Sequence, residues 1–484
     1  MPTIKRLLIL LHRYLGILLS LLFLLWFLSG IAMIYVREMP SLTPASRLDH
    51  IPPLDLQRIR LTPSEAADRA MLAAPPPRAT LQTIMDRPAY RFSLPEFVTV
   101  FADTGEVMTP PDNAKSLAIA SRFLTLPESA LHHEGVLTNL DQWTIGKRSL
   151  LPLHRIAVND AAHTELYVSG QTGEVAVVTT RRSRALAWVS AIPHWFYLEA
   201  LRTNQRWWVL AVLWTSGLGT VLVLLGLVLA VIQYSRRPPH IPYAGWMRWH
   251  YITGAVFGVF TLTWVFSGFL SMEPWDWASE GGRGQGMRAA FSGGALELKQ
   301  FPAISAGFPV NDVKEIEFLR IQGDAYYAVQ RSHAAPVLVS AQPLAIREGL
   351  FSSESLVGKA KEANPNIPIA EATELTAYDS YYYDRDGEAP LPVLRLKFDD
   401  PDKTWFYIDS KMGRILARYQ KRERLQRWLY HGLHSLDFSF WYYSRPAWDI
   451  GVIGLCLGGA ALSAIGVYIS IRRLRLDLRN LTRR

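Results

Sequence analysis

Residues 12–30 read HRYLGILLSLLFLLWFLSG, and residues 250–268 read HYITGAVFGVFTLTWVFSG. Set one under the other, His12, Gly16, Trp26, Ser29 and Gly30 fall on His250, Gly254, Trp264, Ser267 and Gly268. Each stretch leads into an uncharged run, 14–35 and 251–272, that reaches the roughly 20 residues a helix needs to cross a bilayer. Two matched membrane helices, each opening on a histidine, are the frame on which the rest is read.

Outward from them the correspondence continues. Pro152, Arg155, Asp160, Thr164, Tyr167 and Gly173 fall on Pro392, Arg395, Asp400, Thr404, Tyr407 and Gly413. Arg182, Arg184, Trp188, His194 and Trp208 fall on Arg422, Arg424, Trp428, His434 and Trp448. Chance likeness between apolar segments would match Leu and Val; here His, Trp, Arg and Gly match, which is the mark of an internal repeat. Further uncharged runs at 207–234 and 450–471 make each half helix, loop, helix. The expected fold is an integral membrane bundle of four transmembrane helices, built as two tandem repeats about an axis along the membrane normal.

Composition agrees. Hydrophobic residues make up 49% of the 484 and charged residues 19%, too apolar for a simply soluble chain. Lys5 and Arg6 ahead of the first run resemble the basic end of a signal peptide. That run is too long, however, and no small-x-small cleavage site follows, so helix 1 is expected to be retained. Of the basic residues behind the net charge of +9, twelve lie in 1–13, 235–250 and 472–484, against one acid there, Asp477. The positive-inside rule then puts both termini in the cytoplasm and the long loops outside. The expected organisation is 1–35 through helix 1, loop 36–206, helix 207–234, cytoplasmic connection 235–250, helix 251–272, loop 273–449, helix 450–471 and basic tail 472–484. Basic residues used as topology anchors are not a nucleic-acid stripe.

Several chemistries are excluded. Cys456 is the only cysteine, which rules out an internal disulfide, a four-Cys metal site and covalently attached c-type haem. No Walker loop or strand-linked Gly-x-Gly-x-x-Gly occurs, and no Gly-x-Ser-x-Gly or His-Glu-x-x-His. A redox role would therefore need a separate cytoplasmic or membrane electron donor. GGRGQG at 281–286 reads as a flexible loop.

The loops read as small α+β units. Strand-like runs joined by turn residues occur at 90–107, 165–178 and 404–416, and helical stretches precede such runs at 62–72, with Thr62 or Ser64 as cap, and 352–363. Tyr-x-x-x-x-Thr-Gly-Glu-Val at 167–175, its partner at 407–415, and RWLYHGLHSLDF at 427–438 resemble PepSY-associated transmembrane proteins over nearly the whole chain. The resemblance implies two outward-facing α+β PepSY-like domains. It also implies, for some members, inner-membrane siderophore reductases with two b-type haems in a four-helix bundle; others have no established activity.

Four of the 12 histidines are singled out by the repeat. His12 and His250 lie at the cytoplasmic ends of helices 1 and 3, where ionisable side chains normally face the bundle interior; the plain alternative is a headgroup contact. Gly16 and Gly254 lie one turn on, on the same helix face, leaving room for a flat macrocycle, although small-residue helix packing uses the same stripe. His194 and His434 precede Trp208 and Trp448 in aromatic segments of the outer interface, where an unliganded aromatic-belt histidine is the alternative. Imidazole is an established axial ligand for haem iron, and the economical pairing is His12 with His250 and His194 with His434. His431, one turn from His434, has Ala191 as its repeat partner and is expected to support rather than ligate. Arg13, Arg248, Arg182, Arg184, Arg422 and Arg424 are near enough to meet haem propionates. DSYYYDRD at 379–386, and Glu273, Trp275, Asp276 and Trp277, set aromatics among acids where an iron chelate could bind.

The reading is thus an inner-membrane protein with two haem b groups, reducing ferric iron, siderophore-bound, on the periplasmic side. The alternatives are a non-enzymatic module that binds or regulates a periplasmic protein, and a transporter whose helices would be interrupted near the midplane, Gly458-Gly459 being the one hint.

Overall fold

The computed structural model describes residues 2–36, 39–93, 97–275 and 283–481. Asp276, Trp277, Gly281, Gly282, Arg483 and Arg484, and residues 94–96 of the run 90–107, lie outside the described residues. The chain forms two compact units, one of 1–39, 184–279 and 422–484, the other of 40–183 and 280–421.

Among the described residues, the first unit holds four helices long and apolar enough to cross a membrane: Pro2–Met33, Gln205–Gln233, Gly245–Leu270 and Ala447–Leu481. At 1.5 Å per residue they run about 39–52 Å, beyond the hydrocarbon core of roughly 30 Å. Each helix begins before its uncharged run, as Pro2–Met33 does through Lys5 and Arg6, and Ala447–Leu481 also continues beyond its run. The first helix packs on the second and fourth, and the third packs on the same two, so the first and third lie diagonally across the bundle. Phe23, Phe27, Leu222, Trp264, Val265, Trp448 and Val452 fill its middle, while Leu18, Leu21, Leu25 and Leu28 point outward. A Cβ at Gly458 or Gly459 would meet the rings of Phe257 and Phe27 at 2.2 and 2.4 Å. These glycines admit aromatic rings against an unbroken helix; they do not interrupt it.

Among the described residues, the second unit is built on three antiparallel sheets. Strands β1 (Arg78–Ile84), β2 (Arg87–Ser93) and β3 (Phe97–Phe101) form a meander. The β1–β2 turn places Met85 and Asp86 at positive φ, 48° and 57°, as a two-residue hairpin turn requires. Strands β4 (Leu131–Leu137), β5 (Leu153–Val158), β6 (Glu165–Ser169) and β7 (Val175–Thr179) form a second sheet under helix Asn113–Leu124. From the later loop, β8 (Glu315–Ile321), β9 (Asp324–Arg331), β10 (Ala334–Ala341) and β11 (Leu344–Ile346) form another meander. Finally β12 (Ile369–Leu375), β13 (Val393–Phe398), β14 (Trp405–Asp409) and β15 (Ile415–Tyr419) form a sheet in sequential order beside helix Ser353–Ala363. Thr62, not Ser64, caps Pro63–Arg69 through a reciprocal capping box with Glu65.

Reading along the chain treats the loops separately; in space they share a sheet. β1 pairs antiparallel with β8, Ala79 opposite Phe318 and Leu81 opposite Ile316, so one seven-stranded sheet runs β11-β10-β9-β8-β1-β2-β3. Arg78 pairs with Glu317 at 2.6 Å across this seam, and Leu81, Tyr90, Ile316, Phe318 and Tyr327 share one core. A three-stranded meander alone exposes one open edge on each side; pairing β1 with β8 removes one from each loop. The loop reading of 281–286 is corrected from residue 283 onward, where helix Arg283–Ser292 begins. Met287 and Phe291 are buried in the core beside β13 and β14, and that burial outweighs the low helix propensity of Gly284 and Gly286.

Candidate functional site

His12 and His250 project into the bundle from the diagonal helices Pro2–Met33 and Gly245–Leu270, with ring centres 6.2 Å apart and planes at 47°. His12 Nδ1 lies 3.1 Å from the Leu222 carbonyl on the second helix. That oxygen only accepts, so Nδ1 carries the proton and Nε2 keeps its lone pair. The ring reaches the carbonyl because residue 226 is glycine: a Cβ there would lie 2.8 Å from His12 Cε1. On the fourth helix, Leu462 and Gly466 stand 240 positions on from Leu222 and Gly226. A Cβ at Gly466 would lie 3.8 Å from His250 Cε1, yet the buried His250 Nδ1 stops short of hydrogen-bond geometry with the Leu462 carbonyl. The two rings are therefore held differently, one tightly and one loosely.

A cavity of about 390 Å³ surrounds this pair, with Gly16 and Gly254 on its wall, Arg13 and Arg473 at one end and Ser20, Phe23 and Thr261 at the other. Cβ atoms at Gly16 and Gly254 would meet only Leu222 and Leu462 Cδ1, at 3.9 and 3.7 Å. The two glycines therefore border open space and are not a close helix crossing. Of the arginines considered from sequence, Arg13 lines this cavity and Arg248 does not; Arg473 was not singled out.

His194 and His434 form the second pair, with ring centres 5.9 Å apart and planes at 70°. They sit on the short helices Ala191–Trp195 and Leu433–Ser435, which pack on the first and third spanning helices. His194 Nδ1 lies 3.1 Å from Ser29 Oγ, and His434 Nδ1 lies 3.0 Å from Ser267 Oγ and 3.3 Å from the Trp264 carbonyl. Burial pushes His194 down to about 4 and His434, which also faces His194, down to about 3, so both rings are neutral. Ser29 lies 17 residues beyond His12 on one helix, roughly 26 Å along the axis, so the pairs occupy opposite ends of the bundle.

Each second-pair histidine is held by its own turn. The chain leaves the two helices through Phe196 and Leu436 in the left-handed region, φ 54° and 52°. Trp208 Nε1 donates to the Trp195 carbonyl at 2.7 Å and Trp448 Nε1 to the Leu436 carbonyl at 3.1 Å. These indoles, read from sequence as membrane-boundary markers, brace the histidine turns. Behind His434 a buried Arg427–Asp437 pair at 2.9 Å anchors the segment. His431 sits on a π-helical turn, Trp428–Gly432. It is exposed, and its ring contact is with Tyr430 at 4.9 Å, while Tyr430 stacks on His434 at 5.2 Å. His431 thus stands one ring behind the pair.

The aromatic and acidic stretch at 379–386 serves its own fold. Asp379 accepts from the backbone of Tyr381 and Tyr382, pairs with Arg395 at 2.8 Å and accepts from Tyr407 Oη at 2.8 Å, and Tyr382 stacks on Tyr407 at 5.2 Å. Asp141 makes the corresponding contact with Tyr167 at 3.1 Å. Glu273 accepts from Gln426 at 2.7 Å, and Trp275 is exposed. Sequence reasoning missed Glu174 of the Thr-Gly-Glu-Val hairpin, which binds Arg91, Arg47 at 3.3 Å and Gln82 at 3.0 Å. Burial alone would raise its pKa, but Arg91 and Arg47 hold it below the usual carboxylate value.

No curated protein matches the chain. The family model for the PepSY-associated TM region matches residues 9–473, a span that contains the five candidate histidines, the whole of the second and third spanning helices and most of the first and fourth. With four apolar helices and that match, the chain is a multi-pass membrane protein, in contact with the lipid bilayer, that belongs to the PepSY-associated transmembrane family.

Proposed function

We propose that the chain is an inner-membrane electron-transfer protein that holds two b-type haems and reduces ferric iron, presented as a siderophore or similar chelate, on the periplasmic side. The proposal includes the tandem-repeat organisation, with cytoplasmic termini and outward loops. The observation that carries it is the facing of His12 with His250 and of His194 with His434, ring centres 6.2 and 5.9 Å apart. Facing imidazoles are the donors that would hold haem iron between them. Among the described residues no group of three or more His, Cys, Asp or Glu is placed to hold a metal ion. A pair of protein donors suits an ion whose remaining positions are filled by a macrocycle.

Other features fit the same group. The 390 Å³ cavity falls in the range of cofactor sites, and Arg13 and Arg473 suit its carboxylates. The indole N–H groups of Trp26 and Trp264 are buried without an acceptor among the described residues, a deficit a bound group would relieve. Held there, haem supplies one-electron chemistry at iron. The chain's residues bind it, orient it, exclude water and carry the two sites to opposite ends of the bundle. The basic residues at 1–13, 235–250 and 472–484 support electron flow outward from a separate cytoplasmic or membrane donor.

The test is the absorption spectrum of purified protein from haem-replete cells. A Soret band, a reducible b-type α band and close to two haems per chain are expected. A colourless preparation would overturn the reading and leave the non-enzymatic module, which the exposed Leu344 and Ile346 on edge strand β11 also suit.

A further inference from the structure

Ser29 and Ser267 are 2% and 0% exposed, and each is placed between a histidine and a helix carbonyl. Ser29 Oγ donates to the Trp26 carbonyl at 3.1 Å and Ser267 Oγ to the Trp264 carbonyl at 2.9 Å. A serine inside a helix commonly satisfies its proton this way, three or four residues back. With its single proton spent, the oxygen has only lone pairs left. The group against those lone pairs is Nδ1 of His194 in one half and of His434 in the other, at 3.1 and 3.0 Å. Nδ1 therefore holds the ring proton in both rings, and both Nε2 atoms keep their lone pairs.

We infer that Ser29 and Ser267 are positioning residues: each fixes the tautomer and rotation of one histidine, so that two Nε2 lone pairs are available to one acceptor between the halves. The inference rests on the haem reading for the identity of that acceptor, and on the hydrogen-bond chain alone for the tautomer. The arrangement also separates the two sites. At His12 the same task falls to a backbone carbonyl, that of Leu222, which no side-chain substitution removes. At His194 it falls to the Ser29 side chain, and at His434 Ser267 shares it with the Trp264 carbonyl at 3.3 Å. The second pair, unlike His12, can then be loosened by exchanging one side-chain oxygen for hydrogen, His194 more than His434. Partners that orient a ligating histidine are worth 10–100-fold in affinity.

The experiment uses the full-length chain in lipid nanodiscs, with 15N-labelled histidine, before and after haemin is added. His194 and His434 signals, assigned by loss in H194A and H434A, should show the Nδ1–H tautomer before haemin. In S29A/S267A the His194 signal should become mixed and the His434 signal less so, because the Trp264 carbonyl stays within 3.3 Å of its Nδ1. Haemin affinity at this site should fall about 10–100-fold while the His12–His250 site is unchanged. S29T/S267T restores a hydroxyl that can make the same helix bond and should recover both readouts. An unchanged tautomer together with unchanged affinity in S29A/S267A overturns the inference, as does an Nε2–H tautomer in the unsubstituted chain. If haemin binds neither pair, the haem reading fails, and the tautomer comparison alone decides for or against the serines.

Discussion

The ring of His12 rests against the backbone of Gly226, close enough that a Cβ at 226 would lie 2.8 Å from His12 Cε1. The contact brings Nδ1 within 3.1 Å of the Leu222 carbonyl one turn away. A glycine on one helix thus sets the direction in which a histidine on another presents its remaining nitrogen. Gly226→Ala should push the ring off that carbonyl and cut haem occupancy of the first site about 10–100-fold, read as loss of close to one haem per chain. Gly16→Ala separates cofactor from packing. Its Cβ would touch only Leu222 Cδ1 at 3.9 Å, so the fold should keep its thermal stability while the haem is lost. Full haem content in both variants would show that the cavity holds something else.

Ligand pairing is tested by losses in common. His12→Ala and His250→Ala should remove the same haem and leave the other spectrally intact; His194→Ala and His434→Ala should remove the second. His431→Ala should keep both, since that ring is exposed and reaches the pair only through Tyr430. Different haems lost from His12 and His250 variants would mean that each half completes its own site.

Stability against pH turns on Glu174. Its folded pKa lies below the unfolded value of about 4.3 because Arg91 and Arg47 outweigh the burial that would raise it. It therefore adds stability above that unfolded value, and the contribution is lost as pH falls through the folded one. Glu174→Gln leaves Arg91, 8% exposed, without its charge partner and should cost about 3–5 kcal/mol. Thermal unfolding should show this loss at pH 7 shrinking as the medium is acidified; an equal loss at pH 7 and pH 3 would argue against an ion-pair role.

Reporter fusions check orientation. Fusions within 36–206 and 273–449 should report the outer compartment and fusions within 235–250 the cytoplasm. The reverse pattern would reverse the direction of electron flow, which rests on the distribution of basic residues.

What the sequence determined by itself is what depends on composition and spacing along one element. Four uncharged runs are enough to specify four spanning helices, because burying backbone polar groups in hydrocarbon leaves few alternatives to a helix. Thr62 and Glu65 are enough to start Pro63–Arg69, because their hydrogen bonds span three residues. His12, His194, His250 and His434 were legible because each falls on another histidine when the halves of the sequence are set together, and His431 because it stands one turn from His434. What only the tertiary structure decided involves partners far apart in the chain. Ser29 was visible in the matched stretch, but nothing local says that its oxygen faces His194, 165 residues away. Gly226 and Arg473 look like ordinary packing and tail residues until helices pack around His12 and His250. The pairing of β1 with β8 leaves no local trace, because an open edge is satisfied by any strand with matching register, and here that strand belongs to the other loop. Tyr381, Tyr382 and Tyr383 read as a surface for a ligand because their exposure was unknown. The packing of Tyr382 on Tyr407 and of Tyr381 on Trp405 follows from how β13 and β14 come together, which spacing within 379–386 does not contain.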